Sequence, residues 1–135
     1  MKKFTFLLAL AVSISARSQI FIGKTQEEII RLNLEKGNKL TENHNDSLFT
    51  ALTYTDNKYP VSYMYVFNKS KICMEYSITT QDKSIKDSIL GDIEKKCQEK
   101  LTDRAWVQKL DGKNYGWRMM KGNHDVCTFS TTQLK

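Results

Sequence analysis

The stretch ICMEYSITTQDKSIKDSILGDIEKKCQEKL, residues 72–101, decides the fold. Its first eight residues alternate. Ile72, Met74, Tyr76 and Ile78 are apolar, and Cys73, Glu75, Ser77 and Thr79 fall between them. A period of two predicts a strand with one face on a core and the other toward water. From about Asp82 or Ser84 to Leu101 the period changes. Ile85, Ile89, Ile93, Cys97 and Leu101 recur every four residues, with Leu90 beside them. That is one buried stripe on an amphipathic helix. Asp82 and Asp87 near its start, and Lys95, Lys96 and Lys100 near its end, suit the helix dipole. Gly91 lies in the middle, where glycine costs about 1 kcal/mol against alanine. Its presence is read as a mark of close packing on the sheet.

Upstream, residues 48–55 and 61–67 carry strand patterns, separated by turns at 56–60 and 68–71. Residues 38–47, Asn-Lys-Leu-Thr-Glu-Asn-His-Asn-Asp-Ser, read as a polar loop. Before it, Thr25 stands three residues ahead of Glu28 in a capping-box pattern. This predicts a first helix over about 26–36, with Ile29, Ile30, Leu32 and Leu34 as its apolar side and Gly37 as its stop. Residues 20–22, Ile-Phe-Ile, read as a short edge strand. Downstream, Asp111-Gly112 is a hairpin signal between strands at 105–110 and 114–120. The second of these puts Tyr115, Trp117 and Met119 on one face. After a turn at 121–125, a last strand over 126–132 puts Cys127 and Phe129 on one face and Thr128 and Ser130 on the other.

The expected order is therefore (β)αβββαβββ. The expected fold class is α+β: an antiparallel curved sheet of about six strands with two helices on one face. A helix followed by a meander occurs twice, and residues 72–80 resemble 126–132. The opposite sheet face would be partly open. By alternation its residues are Ser62, Met64, Val66, Glu75, Ser77, Arg118, Thr128 and Ser130.

The chain opens with Lys2 and Lys3, an apolar run from Phe4 to Ile14, and then Ser15, Ala16, Arg17 and Ser18. That run is too short to span a bilayer, which takes roughly 20 residues. It has the length of a signal h-region, and Ala16 and Ser18 suit a cut before Gln19. We expect a signal peptide over 1–18 and a single exported domain over 19–135, periplasmic or extracellular. The first cysteine is Cys73, so no lipid anchor follows the cut, and no later stretch is apolar enough to enter a membrane.

Charge argues the same way. The net charge is +6 for the whole chain. Removing Lys2, Lys3 and Arg17 leaves 18 basic against 15 acidic residues, interspersed without a basic block. Nothing here suits nucleic acid.

Three cysteines remain: Cys73, Cys97 and Cys127. In an oxidising compartment they allow one bridge and leave one thiol. Cys97 on the helix stripe and Cys127 on a core-facing strand are the candidate pair. Their bridge would close about 30 residues and add about 3 kcal/mol. The alternative is three reduced, partly buried thiols acting as small hydrophobes. Cys73 alternates with the apolar set and should face away.

Chemistry is thinly represented. His124 and Cys127 lie three apart across a turn and could be read as a thiol and its base, but the cysteine points from a strand and nothing nearby offers an oxyanion hole. His44 and His124 are the only histidines, and no ligand spacing joins them to Asp46 or Asp125, so neither a metal nor another cofactor is expected. Tyr63, Tyr65, Phe67, Tyr115 and Trp117 fit core packing better than a stacking platform. Met64, Val66, Trp106 and Arg118 are the candidate partner-contact residues.

Ile22–Ile30, Ile-Gly-Lys-Thr-Gln-Glu-Glu-Ile-Ile, resembles the opening of a loose group of small exported proteins of Gram-negative bacteria. In them a meander with a strand cysteine, a second helix and a Trp-led strand follow, as at Cys73 and Trp106. The resemblance implies a fold and an export route and no activity. The opening is also similar to that of the outer-membrane assembly lipoprotein BamE, which differs in its lipid-bearing cysteine and single meander. The repeated helix–meander plan resembles the β-lactamase inhibitor proteins in architecture. The expected function is a non-catalytic binding module that holds a protein or envelope partner on the open sheet face. The alternative is a small thiol-dependent or hydrolytic enzyme.

Overall fold

The structure, a computed structural model, describes residues 19–135. The segment expected to be a signal peptide, 1–18, lies outside the described residues. Two helices and eight strands follow one another as α1 (Gln26–Glu35), β1 (Lys39–Asn45), β2 (Thr50–Thr55), β3 (Val61–Phe67), β4 (Cys73–Thr80), α2 (Lys83–Lys96), β5 (Glu99–Thr102), β6 (Ala105–Leu110), β7 (Lys113–Lys121) and β8 (Cys127–Gln133). All strand pairs are antiparallel, in one sheet of order β1-β2-β3-β4-β8-β7-β6-β5.

The order is thus αββββαββββ. This corrects the expected six strands and the expected (β)αβββαβββ arrangement. Three differences account for it. Residues 39–45 form edge strand β1 and not a loop. Every residue of β1 is exposed, so its sequence carries no alternation, and backbone bonds to β2 hold it. The second helix ends at Lys96, because Cys97 takes an extended backbone (φ −87, ψ 131). The chain then turns into edge strand β5 at Glu99, which leaves Leu101 exposed and outside the helix stripe. Residues 20–22 form no strand. Phe21 enters the core against Tyr65 and Tyr76, and only Thr25 bridges to Ile72.

Both helices start as the sequence directs. The Thr25 hydroxyl accepts the Glu28 N–H at 3.2 Å, and the Asp82 carboxylate accepts the Ile85 N–H at 3.0 Å. Both helices cover one face of the sheet. Ile29 from α1 and Ile85, Ile89 and Ile93 from α2 join Tyr63, Tyr65, Tyr76, Trp106, Trp117 and Phe129 in a single core. Gly91 is not the close contact it was read to be. A Cβ built there meets nothing within 4 Å.

The two halves repeat the same pairing. Tyr63 faces Ile78, Met64 faces Ser77 and Tyr65 faces Tyr76 in the first half. Trp117 faces Thr131, Arg118 faces Ser130 and Met119 faces Phe129 in the second. One strand further out, Tyr54 faces Tyr63 as Trp106 faces Trp117. The register slips after Leu40 at one edge and after Lys100 at the other. The Asn38 amide oxygen accepts the Asn57 N–H, and the Gln98 amide oxygen accepts the Lys109 N–H. Equivalent strands β4 and β8 pair with each other at the centre, where Ser77 meets its counterpart Ser130. The molecule is therefore two helix–meander units related by an approximate two-fold through that serine pair.

One irregularity breaks the match. Val66 faces Glu75 but Phe67 faces Cys73, so Met74 is the extra residue of a bulge. The bulge reverses the alternation on its N-terminal side. Cys73 turns into the core (1% exposed) and Met74 outward (42% exposed), opposite to the simple alternation.

Candidate functional site

The helix-free face of the sheet is the candidate site. Pairing across six strands sets up one row: Thr53, Met64, Ser77, Ser130, Arg118 and Ala105. A flanking row holds Thr55, Ser62, Thr79, Thr128 and Met120, and the other holds Ala51, Val66, Glu75, Thr132, Gly116 and Val107. Hydroxyls dominate, and they bond across the centre. Ser77 Oγ lies 3.1 Å from Ser130 Oγ, and Thr79 Oγ1 lies 3.0 Å from Thr128 Oγ1. These bonds join the two halves.

A depression of about 320 Å³ sits off-centre on this face, lined by Glu75, Gly116, Arg118, Met120, Ser130, Thr132 and Leu134. Gly116 shapes one wall. A Cβ there would stand 3.1 Å from Leu134 Cδ2, so glycine lets the C-terminal segment fold onto the sheet. The Leu134 N–H donates to the Asn114 carbonyl at 2.8 Å and holds it there.

Three of the four candidate contact residues lie on this face. Met64 is half-buried, Val66 is mostly covered by its neighbours and Arg118 is exposed. Trp106 is not with them. Its pairing with Trp117 turns it to the helix side, where it is 2% exposed. The run Ala105-Trp106-Val107-Gln108 has no clear alternation, so the strand's phase was not legible before its partner was known.

The three cysteines are free thiols, with no pair at disulfide distance. The structure therefore does not bring Cys97 and Cys127 together as the expected bridge would need. Cys97 is the residue that ends α2, and Cys127 is paired between Thr80 and Lys121 at the start of β8. Burial pushes the Cys73 thiol up to about 12 and the Cys97 thiol up to about 11. Burial also raises Cys127, against the pull of Lys86, Lys121 and Arg104. A thiol held protonated is a poor nucleophile. His124 is exposed in the β7–β8 turn with φ 57 and is not among the groups acting on the Cys127 thiol.

His44 and Asp46 do meet, with Nε2 3.0 Å from the carboxylate. The carboxylate also accepts the Leu48 and Phe49 N–H groups. The bond from His44, then the two backbone donors, hold Asp46 below the usual carboxylate range. Both side chains are well exposed, and the cluster shapes the β1–β2 turn. Among the described residues no group of three or more His, Cys, Asp or Glu side chains is placed to hold a metal ion. None of their helices is long and apolar enough to cross a membrane.

No protein-family model, no curated protein and no solved structure matches the chain.

Proposed function

We propose that the protein is an exported, non-catalytic binding module that holds a protein or envelope partner on the helix-free face of its sheet. One observation carries this. Both helices lie on the same side, so among the described residues no helix or strand covers the other face of the eight-stranded sheet, and only the C-terminal segment at Leu134 folds onto part of it. An antiparallel sheet tolerates one solvated face. This one offers more than solvation, since Met64, Met120 and Leu134 stand among the hydroxyls with Arg118 beside them. Methionine and arginine suit protein contact, one by adaptable apolar area and one by forked donors. The thiols argue for the same side of the choice, since burial holds all three protonated. A secreted enzyme is one kind of partner within this reading.

The test is site-specific photo-crosslinking in the native host. A photoreactive residue replaces Arg118 or Met120 on the sheet face, or Glu28 or Lys95 on the exposed helix surfaces. The expected result is a discrete adduct from the first two positions and none from the last two. Adducts from the helix positions alone, or none from the sheet, would overturn the reading. Intact mass of the exported chain tests the address. A mass beginning at Gln19 is expected, and one retaining Met1 would sink it.

A further inference from the structure

On the helix side of the molecule, a pocket of about 330 Å³ lies between the start of α2 and the β7–β8 turn. Lys83, Lys86 and Lys121 line it from two elements, with Asp125 as the one carboxylate on its wall. None of the three lysines makes an ion pair with any described residue. Two of them occupy the opening of α2, where a cation opposes the helix dipole and no acid within the first turn offsets it. The Asp82 carboxylate, just before that turn, is engaged in capping the Ile85 N–H.

The floor supplies an independent sign. Cys127 lines the pocket, yet the residue is only 1% exposed and its thiol has no hydrogen-bond partner among the described residues. Lys86, Lys121 and Arg104 all act on that thiol, and no carboxylate does. Three basic side chains from three parts of the chain thus act at the base of the pocket. The equivalent pocket of the first half lacks this. It is lined by Thr25, Gln26, Glu27, Ile30, Ser70 and Lys71, with one acid against one base.

We propose that the α2/β7–β8 pocket is an oxyanion site that takes a phosphate group, either free phosphate or the headgroup of a phosphate monoester. Three lysines lining one small volume, against one aspartate, match a dianion with several acceptor oxygens. The pocket opens on the helix side and does not depend on the reading of the open sheet face.

The experiment is an amide-shift titration of the whole exported protein with inorganic phosphate at constant ionic strength, with chloride as the control. Saturable shifts confined to residues 81–86 and 121–127 are expected. Lys86→Gln combined with Lys121→Gln should weaken binding at least about tenfold. Both side chains carry charge outside the core, so an unchanged melting temperature checks the fold of the variant. Shifts that rise linearly without saturating, that chloride reproduces, or that the double variant leaves intact would overturn the proposal. A parallel titration with glycerol phosphate separates the sources. Binding about tenfold tighter than inorganic phosphate assigns a carried phosphate group, and equal binding assigns the free oxyanion.

Discussion

Asn33 sits in α1 where Ile93 sits in α2, each six residues ahead of the following strand. The isoleucine needs only a hydrophobic wall. The asparagine is 2% exposed and is tied on several sides. Its amide nitrogen donates to the Ile29 carbonyl at 3.0 Å, and its amide oxygen accepts from Asn38 at 2.9 Å. A further side-chain bond joins it to the buried Tyr65. Removing one partner of such a set leaves the others buried without bonds, which costs about 1–3 kcal/mol each. Asn33→Ala is expected to destabilise the protein by about 2–4 kcal/mol, read as a fall in the urea midpoint. An unchanged midpoint would mean that water replaces the lost bonds. Little of this showed in the sequence. Asn33 falls among apolar residues of an imperfect stripe, and its distant partner, Tyr65, comes from a strand that meets α1 only in the folded chain. Cys73 makes the same point. Its alternation was sound locally, and one bulge residue, Met74, inverted it.

Among the elements, α2 was the most legible. Ile85, Ile89 and Ile93 lie on one stripe and all three are buried. Its end was not legible, since the apolar spacing runs on through Cys97 and Leu101 while the backbone turns at Cys97 to pair β5 with β6. A long-range strand pairing competed with the last helical turn and won. Gly91 was legible as a cost and misread as a contact. It stands mid-helix with open space where a Cβ would go. Gly91→Ala is expected to stabilise the protein by about 1 kcal/mol, through backbone entropy alone. A thermal melt checks this, and destabilisation would reveal a contact that the open space does not suggest. The edges β1 and β5 were invisible for one shared reason. Strands exposed on both faces need no periodicity, and their bonds come from the neighbouring backbone.

At the scale of the whole molecule, the two helix–meander units share one sheet and one core. The central pair β4–β8 carries backbone bonds, the Ser77–Ser130 and Thr79–Thr128 hydroxyl pairs, and core contacts below them. Neither unit closes its own sheet without the other. Unfolding is therefore expected as one calorimetric transition. Ile29 and Ile89 test this, because each is fully buried ten residues ahead of the strand that follows its helix. Ile29→Val and Ile89→Val should each cost about 0.5–1.5 kcal/mol and should each lower that same transition. A variant that splits the melt into two steps would show units that fold separately.

The sequence by itself determined the local terms: two capped helices, most of the strands, and the residues Met64, Val66 and Arg118 that share a sheet face. Those depend on side-chain period and on neighbours within a few positions, which are written in order along the chain. Only the tertiary structure decided the eight-strand count, the two-fold pairing of β4 with β8, the burial of Trp106 and Cys73, and the convergence of Lys83, Lys86 and Lys121 on one pocket. Each of these is set by hydrogen bonds or packing between segments far apart in sequence, where one bulge or one register choice moves a side chain from one face to the other.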